Sequence, residues 1–198
     1  MELVTKKRLT ILSGRVNREL AEEVAQRLGQ HLGPVQLAEF ANGQIQGFFD
    51  GPVDHLTAMP VLVGWMAENL PEDLVVVSPD AGRVKVAERY ANQLHADLAI
   101  VHKRRVKGAK NQVEAKEVVG EVEGRTCVLI DDMIDTAGTI VAAAEQLTER
   151  GASAVYCAAT HGVFSGPAID RLKNSTIEKV VITNTLPLPP EKRIDKIE

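Results

Sequence analysis

Three carboxylates, two threonine hydroxyls and a glycine fall together in Asp131-Asp132-Met133-Ile134-Asp135-Thr136-Ala137-Gly138-Thr139, directly after the apolar run Val128-Leu129-Ile130. A strand end that leads into a helix start exposes main-chain amides, which with Thr136, Gly138 and Thr139 suit a phosphate monoester. Carboxylates repel a phosphate. They do accept hydrogen bonds from the adjacent hydroxyls of a sugar, and they hold Mg2+ through water. A sugar phosphate satisfies both halves of the segment. An isolated Asp-Asp would read as an acidic strand end before a capping threonine, and the added Thr-x-Gly-Thr turns the reading toward a ligand. A receiver-type phosphoacceptor aspartate needs no such pattern. No Gly-x-x-x-x-Gly-Lys-Ser/Thr segment occurs, which excludes a P-loop.

Two more segments carry chemistry. Ser78-Pro79-Asp80-Ala81-Gly82-Arg83 also follows an apolar run and opens a helix. Its glycine permits a tight turn, its amides can face a diphosphate, and Asp80 could hold the accompanying metal. A plain strand-to-helix turn capped by Asp80 fits the same residues equally well. The third segment, His102-Lys103-Arg104-Arg105-Val106-Lys107-Gly108-Ala109-Lys110, places five cations in the eight residues from Lys103. Charge runs usually mark solvated faces. This one directly follows the run Leu98 to Val101, where a basic hairpin can fold over a polyphosphate and neutralise charge in phosphoryl transfer.

The remaining candidates read as structural. His161 sits between an expected strand and a glycine-rich loop, His31 and His95 are expected to be exposed, and Trp65 and Met66 pack a helix beginning near Ala58. None forms a metal-ligand pair at a recognised spacing.

Positioning these segments requires a sheet. A strand at Leu9 to Leu12 precedes a helix that Asn17 can cap, with Leu20, Val24 and Leu28 four apart and Gly29 at its end. Residues 40–53 fit neither template and suggest a boundary. Beyond them the expected order is a helix Ala58 to Asn69, a strand Leu74 to Ser78, a helix Val84 to Leu94 and a strand Leu98 to Val101. There follow a strand Thr126 to Ile130, a helix Thr139 to Arg150 closed by Gly151, and strands at Ala154 to Ala159 and Val180 to Thr183. Short apolar runs alternating with amphipathic segments call for an α/β fold, a parallel sheet flanked by helices. Ligands then sit outside the carboxyl ends of the strands. Pro187-Leu188-Pro189-Pro190 ends the regular structure.

Composition agrees. The chain has 198 residues, 44% hydrophobic but only 4% aromatic, as expected when strands are covered on both faces. A formal charge of −4 offers no general attraction to nucleic acid or to an anionic membrane, so any anion site is local. Cys127 and Cys157 lie within apolar runs and read as reduced and buried. There is no leader-like start and no run of about eighteen apolar residues, which predicts a cytoplasmic location.

The segment Val128 to Thr139 resembles the phosphoribosyl pyrophosphate motif of type I phosphoribosyltransferases and of the diphosphokinase that makes their substrate. Asp-Asp-Met-Ile-Asp-Thr-Ala-Gly-Thr is similar to the version in ribose-phosphate diphosphokinases. The likeness extends through Ile45 to Asp50, Val75 to Gly82, His102 to Arg105, Ala159 to Gly162 and Thr183 to Pro187, covering nearly all of residues 45–196. It implies a type I phosphoribosyltransferase-like fold and diphosphate transfer from ATP to ribose 5-phosphate with Mg2+, giving phosphoribosyl pyrophosphate and AMP, in a homo-oligomer. On that resemblance, Asp131, Asp132 and Asp135 with Thr136, Ala137, Gly138 and Thr139 form the ribose 5-phosphate loop. Asp80, Ala81, Gly82 and Arg83 form the diphosphate loop, with Asp80 on the metal. Lys103 and Arg105 match the catalytic basic residues, and Phe40 and Asn42 match an adenine-contacting loop. Arg83 replaces the second glycine of many relatives.

The likeness is discontinuous. Residues 1–44 resemble a remnant of an N-terminal domain, and residues 45–198 a C-terminal domain carrying the ribose site. Gln44 leads directly into Ile45-Gln46-Gly47, where the family has a further ATP-binding segment and a metal-binding histidine, and Glu198 precedes the family's final strand and helix. Two other readings use the same ribose loop. One is a phosphoribosyltransferase with a base-binding hood, and the other is a non-catalytic regulatory subunit that binds sugar phosphate.

Overall fold

The computed structural model describes residues 9–13, 17–34, 57–105 and 114–198, with only the backbone for 103–105 and 114–116. The 44/45 boundary lies outside the described residues, as do Phe40 and Asn42. Contacts divide the chain into a unit of residues 1–56 with Asn184–Pro187 and a unit of Thr57–Thr183 with Leu188–Glu198.

In the first unit, helix α1 (Arg18–Arg27) starts where expected, because the Asn17 carboxamide oxygen accepts from the Leu20 amide at 3.1 Å. Asn17 Nδ2 also donates to the Asn184 carbonyl at 2.6 Å. Gly29 follows with φ +64°, the left-handed conformation that closes a helix without a Cβ penalty. Two expectations differ. The strand Leu9 to Leu12 reduces to a single parallel bridge, Ile11 to Leu32, and Leu9 and Leu12 are 57% and 51% exposed. The proposed apolar stripe also faces outward at Val24 and Leu28, and the residue α1 buries is Ala25.

The second unit opens with α2 (Met59–Asn69), whose Pro60 stands in the first turn where no amide partner is needed. Strand β1 (Leu74–Ser78), helix α3 (Val84–Leu94) and strand β2 (Asp97–Arg105) follow. Then come β3 (Glu114–Val119), β4 (Thr126–Ile134), α4 (Gly138–Glu149), β5 (Ala154–Gly162), α5 (Ala168–Lys173), β6 (Ile177–Ile182) and a 3₁₀ turn at Pro190–Lys192. Among the described residues, six strands form the sheet in the order β3-β2-β1-β4-β5-β6. All pairings are parallel except β2 with β3, so the expected parallel sheet carries one antiparallel edge formed by the basic hairpin.

Period-two alternation sorts the strand residues onto two faces. Val75, Val77, Cys127, Leu129, Val155 and Cys157 join α4 and α5 in one core, while Val76, Val128, Ile130 and Ala158 join α2 and α3 in the other. Because the order reverses between β1 and β4, right-handed crossovers place α3 and α4 on opposite faces. Both cysteines are free and buried, and burial pushes the Cys127 thiol up to about 11. Residues 196–198 run along β6: the Val180 amide donates to the Lys196 carbonyl at 2.7 Å and the Ile182 amide to the Glu198 carbonyl at 2.9 Å. Trp65 Nε1 and Lys179 Nζ both donate to the Glu198 carboxylate, at 3.0 and 2.6 Å, and hold it below the usual carboxylate range. Among the described residues, no helix is long and apolar enough to cross a membrane.

Candidate functional site

The strand order reverses between β1 and β4, and the carboxyl ends of strands at such a reversal are the place where an open α/β sheet receives a ligand. The parallel register Val77 to Leu129 sets Asp131 level with the turn that leaves β1. The two loops singled out in the sequence therefore face each other.

The β1 to α3 turn is built on Asp80. Its Oδ1 accepts from the amides of Gly82 and Arg83 at 2.7 and 3.1 Å, and Ser78 Oγ donates to its carbonyl at 2.6 Å. Asp80 thus folds the turn ahead of α3, whose N-cap position is Arg83 with no side-chain cap, so the expected cap at Asp80 is instead a turn. Among the described residues, the second carboxylate oxygen of Asp80 has no partner.

The other wall is the end of β4, which continues beyond Ile130 through Asp131 and Asp132 because β5 pairs alongside, Asp131 opposite Ala159 and Met133 opposite His161. His161 consequently belongs to β5 rather than to a loop beyond it. The Asp132 amide donates to Asp131 Oδ1 and the Met133 amide to Asp132 Oδ1, both at 2.8 Å. Arg83 spans the pair: its Nε lies 3.4 Å from Asp131 Oδ1, and its Nη2 contacts Asp132 Oδ2. Burial pushes the Asp131 carboxyl up to about 6, assisted by its neighbour's charge. Asp132 is less buried, and although burial raises it, the Arg83 guanidinium and the hydrogen bond with Asp131 bring it below the usual range. The two titrate as a pair.

Asp135, Thr136 and Thr139 are exposed, while Ala137 is buried in the left-handed conformation with φ +60° and leads into α4 at Gly138. Among the described residues, no group bonds the hydroxyl of Thr136 or Thr139. A left-handed residue before a helix N-terminus turns successive amides toward one point, an anion-binding concavity. Arg171 on α5 completes this loop: its Nη1 donates to the Thr136 carbonyl at 2.9 Å and lies 3.3 Å from where a Cβ on Gly138 would sit. Sequence reading missed Arg171. Its helix has six residues, and nothing local ties it to a loop 35 positions earlier.

Lys103 and Arg105 lie on β2, and β3 returns antiparallel with Lys103 opposite Lys116 and Arg105 opposite Glu114. The expected hairpin is present, and its tip, residues 106–113, lies outside the described residues. Among the described residues, no three acidic, histidine or cysteine side chains cluster as a metal site.

Comparison with known proteins gives a consistent picture. A family model for the N-terminal domain of ribose phosphate pyrophosphokinase matches residues 9–58, and one described as a phosphoribosyl synthetase-associated domain matches residues 110–198. The chain is 61% identical over 155 residues to a ribose-phosphate pyrophosphokinase of Streptomyces avermitilis, covering 78% of this chain and 48% of that protein. It is 47% identical over 184 residues to the Aquifex aeolicus enzyme of the same name, covering 92% of this chain and 58% of the relative. The crystal structure of phosphoribosylpyrophosphate synthetase from Mycobacterium smegmatis superposes with a TM-score of 0.70 at 50% identity, over 79% of this chain and 50% of that one. The chain thus spans about half the length of the relatives it matches.

Proposed function

The chain belongs to the ribose-phosphate pyrophosphokinase family, and on that footing we propose that it binds ribose 5-phosphate on the loop from Asp131 to Thr139 as the acceptor of a diphosphate from ATP. The observation that carries this reading is the placement of the Asp131–Asp132 pair and the amide-lined loop at Thr136–Thr139 on one strand-to-helix connection, facing the Asp80 turn. Asp131 and Asp132 would accept from the ribose hydroxyls. Thr136, Gly138 and Thr139 would take the 5-phosphate, which leaves the 1-hydroxyl toward the Asp80–Arg83 turn. Lys103 and Arg105 would approach the transferred group from the β2 to β3 hairpin.

Mg2+ fits this arrangement. Magnesium held largely by substrate phosphates and water needs only one or two protein carboxylates, and Asp80 keeps one oxygen beyond its two amide bonds. When bound, the ion neutralises charge on the phosphate oxygens. The protein side of the chemistry is then positioning and electrostatics, with little covalent work.

The test is calorimetry with ribose 5-phosphate. Asp131→Asn combined with Asp132→Asn removes charge-assisted hydrogen bonds worth about 1.5–3 kcal/mol, whereas Glu145→Gln on the exposed face of α4 changes a few tenths. Equal affinities for the parent and both variants would remove the ribose contact.

A further inference from the structure

Arg83 and a ribose diol make the same demand on the same oxygens. Its guanidinium pairs with both carboxylates: Nε lies 3.4 Å from Asp131 Oδ1, and Nη2 contacts Asp132 Oδ2. The strand's own amides take Asp131 Oδ1 and Asp132 Oδ1. Three of the four carboxylate oxygens are therefore engaged, and the planar fork stands where two adjacent hydroxyls bridging the pair would stand.

The backbone under this side chain is independently fixed. The Arg83 amide is held by Asp80 Oδ1 at 3.1 Å and its carbonyl starts α3, accepting from Val86 and Ala87 at 3.0 Å. The guanidinium sits on a long flexible stem, and the residue is partly solvent-exposed, 34% at its side chain. It can leave the carboxylates by rotating that stem without disturbing the turn. Ala81 and Gly82, the two residues before Arg83, are exposed, in the turn that the family resemblance gives to a diphosphate.

We propose that Arg83 is an exchange residue: the ribose hydroxyls displace its guanidinium from Asp131 and Asp132, and the freed cation is handed to the diphosphate oxygens at the Asp80 turn. Arg83 thereby opposes binding of the sugar alone and favours binding of the diphosphate, linking occupancy of the two halves of the site. This rests on the ribose-loop reading of Asp131 and Asp132 and on the diphosphate-loop reading of Asp80 to Arg83.

The experiment measures two affinities at about 0.15 M salt, where long-range charge effects are screened. The probes are ribose 5-phosphate and inorganic pyrophosphate with Mg2+, titrated into the full 198-residue chain and into Arg83→Gln and Arg83→Lys. The expected result is opposite in sign for the two ligands. Arg83→Gln binds ribose 5-phosphate several-fold more tightly and pyrophosphate about tenfold more weakly, as loss of a charge-assisted bond gives. Arg83→Lys lies between, since it keeps the charge and loses the fork. A structural role alone would weaken both ligands together and lower the melting temperature, and that outcome overturns the proposal. So does an unchanged or weaker affinity of Arg83→Gln for ribose 5-phosphate when the parent's affinity depends on Asp131 and Asp132. A parent affinity indifferent to Asp131→Asn and Asp132→Asn overturns the ribose-loop reading itself.

Discussion

Arg171 of α5 holds the Thr136 carbonyl at 2.9 Å, tying the loop between β4 and α4 to the helix that follows β5. The bond supports a loop whose next residue, Ala137, is left-handed and would otherwise relax toward commoner backbone angles. Arg171→Ala is expected to weaken ribose 5-phosphate binding by about 0.5–1.5 kcal/mol, the usual net worth of one hydrogen bond, with Arg171→Lys less affected. Calorimetry on the two variants measures it, and an unaltered affinity in Arg171→Ala would show that the loop holds its shape unaided.

The Asp131–Asp132 pair sets a pH dependence whose sign follows from the direction of each shift. Asp131 is raised by burial to about 6 from an ordinary 3.8, so the folded chain takes up this proton before the unfolded chain does. Its contribution to stability therefore increases as pH falls from about 6 toward 4. Asp132 is lowered, and its contribution is present above the ordinary value and disappears as pH falls through its folded one. Arg83 lowers both, so Arg83→Gln should move both titrations upward. Carboxyl carbon chemical shifts followed against pH report the pair directly. Titrations that stay in place in the variant would show that the guanidinium does not face these carboxylates in solution.

Strand β1 and helix α3 have the bounds that hydrophobic patterning indicates, because Val75-Val76-Val77 is buried on both sides and Val84 to Leu94 follows the turn that Asp80 folds. Patterning fails where burial does not decide the residue types. Strand β3, Glu114–Val119, is a charged edge strand with a partner on one side, and β4 carries two aspartates inside its last turn of pairing with β5. The loop from Asp131 to Thr139 was legible as a candidate because its chemistry is contiguous in sequence. The grips of Arg83 on β4 and of Arg171 on Thr136 were not, since both depend on which strands the sheet sets side by side.

At the opposite end of the sheet, Arg125 joins the starts of three adjacent strands. Its Nη1 meets Asp97 Oδ2 at 2.7 Å, and its Nη2 meets Asp73 Oδ1 at 2.6 Å and the Leu74 carbonyl at 3.4 Å. The arginine is 20% exposed while the two carboxylates are 80% and 74% exposed, and its Nε is buried without a partner, which offsets part of the gain. Arg125→Ala is expected to cost about 1–3 kcal/mol in urea unfolding, and Asp73→Ala or Asp97→Ala each less than about 1. A larger loss from either aspartate than from the arginine would contradict this arrangement.

Sugar binding and turnover should separate in this polypeptide. The loop from Asp131 to Thr139 and the Asp80 turn lie in one sheet and face each other across β1 and β4, so on the proposed reading ribose 5-phosphate would have its partners within residues 57–183. The nucleotide is different. By resemblance its base contacts begin at Phe40 and Asn42 and continue into a segment that would lie where Gln44 runs into Ile45. ATP held through its phosphates alone keeps the charge complementarity of the basic hairpin but loses the orientation that aligns the diphosphate with the 1-hydroxyl. Orientation of two reactants is worth as much as ~7–11 kcal/mol of barrier, enough to remove turnover while leaving sugar affinity intact. The 198-residue chain, its mass of 21.5 kDa confirmed by mass spectrometry, is therefore expected to bind ribose 5-phosphate in calorimetry and to form little or no AMP from ATP. AMP formation that requires both ribose 5-phosphate and Mg2+, at rates of about 1–100 per second ordinary for kinases, would show that the described sheet and hairpin orient ATP without those contacts.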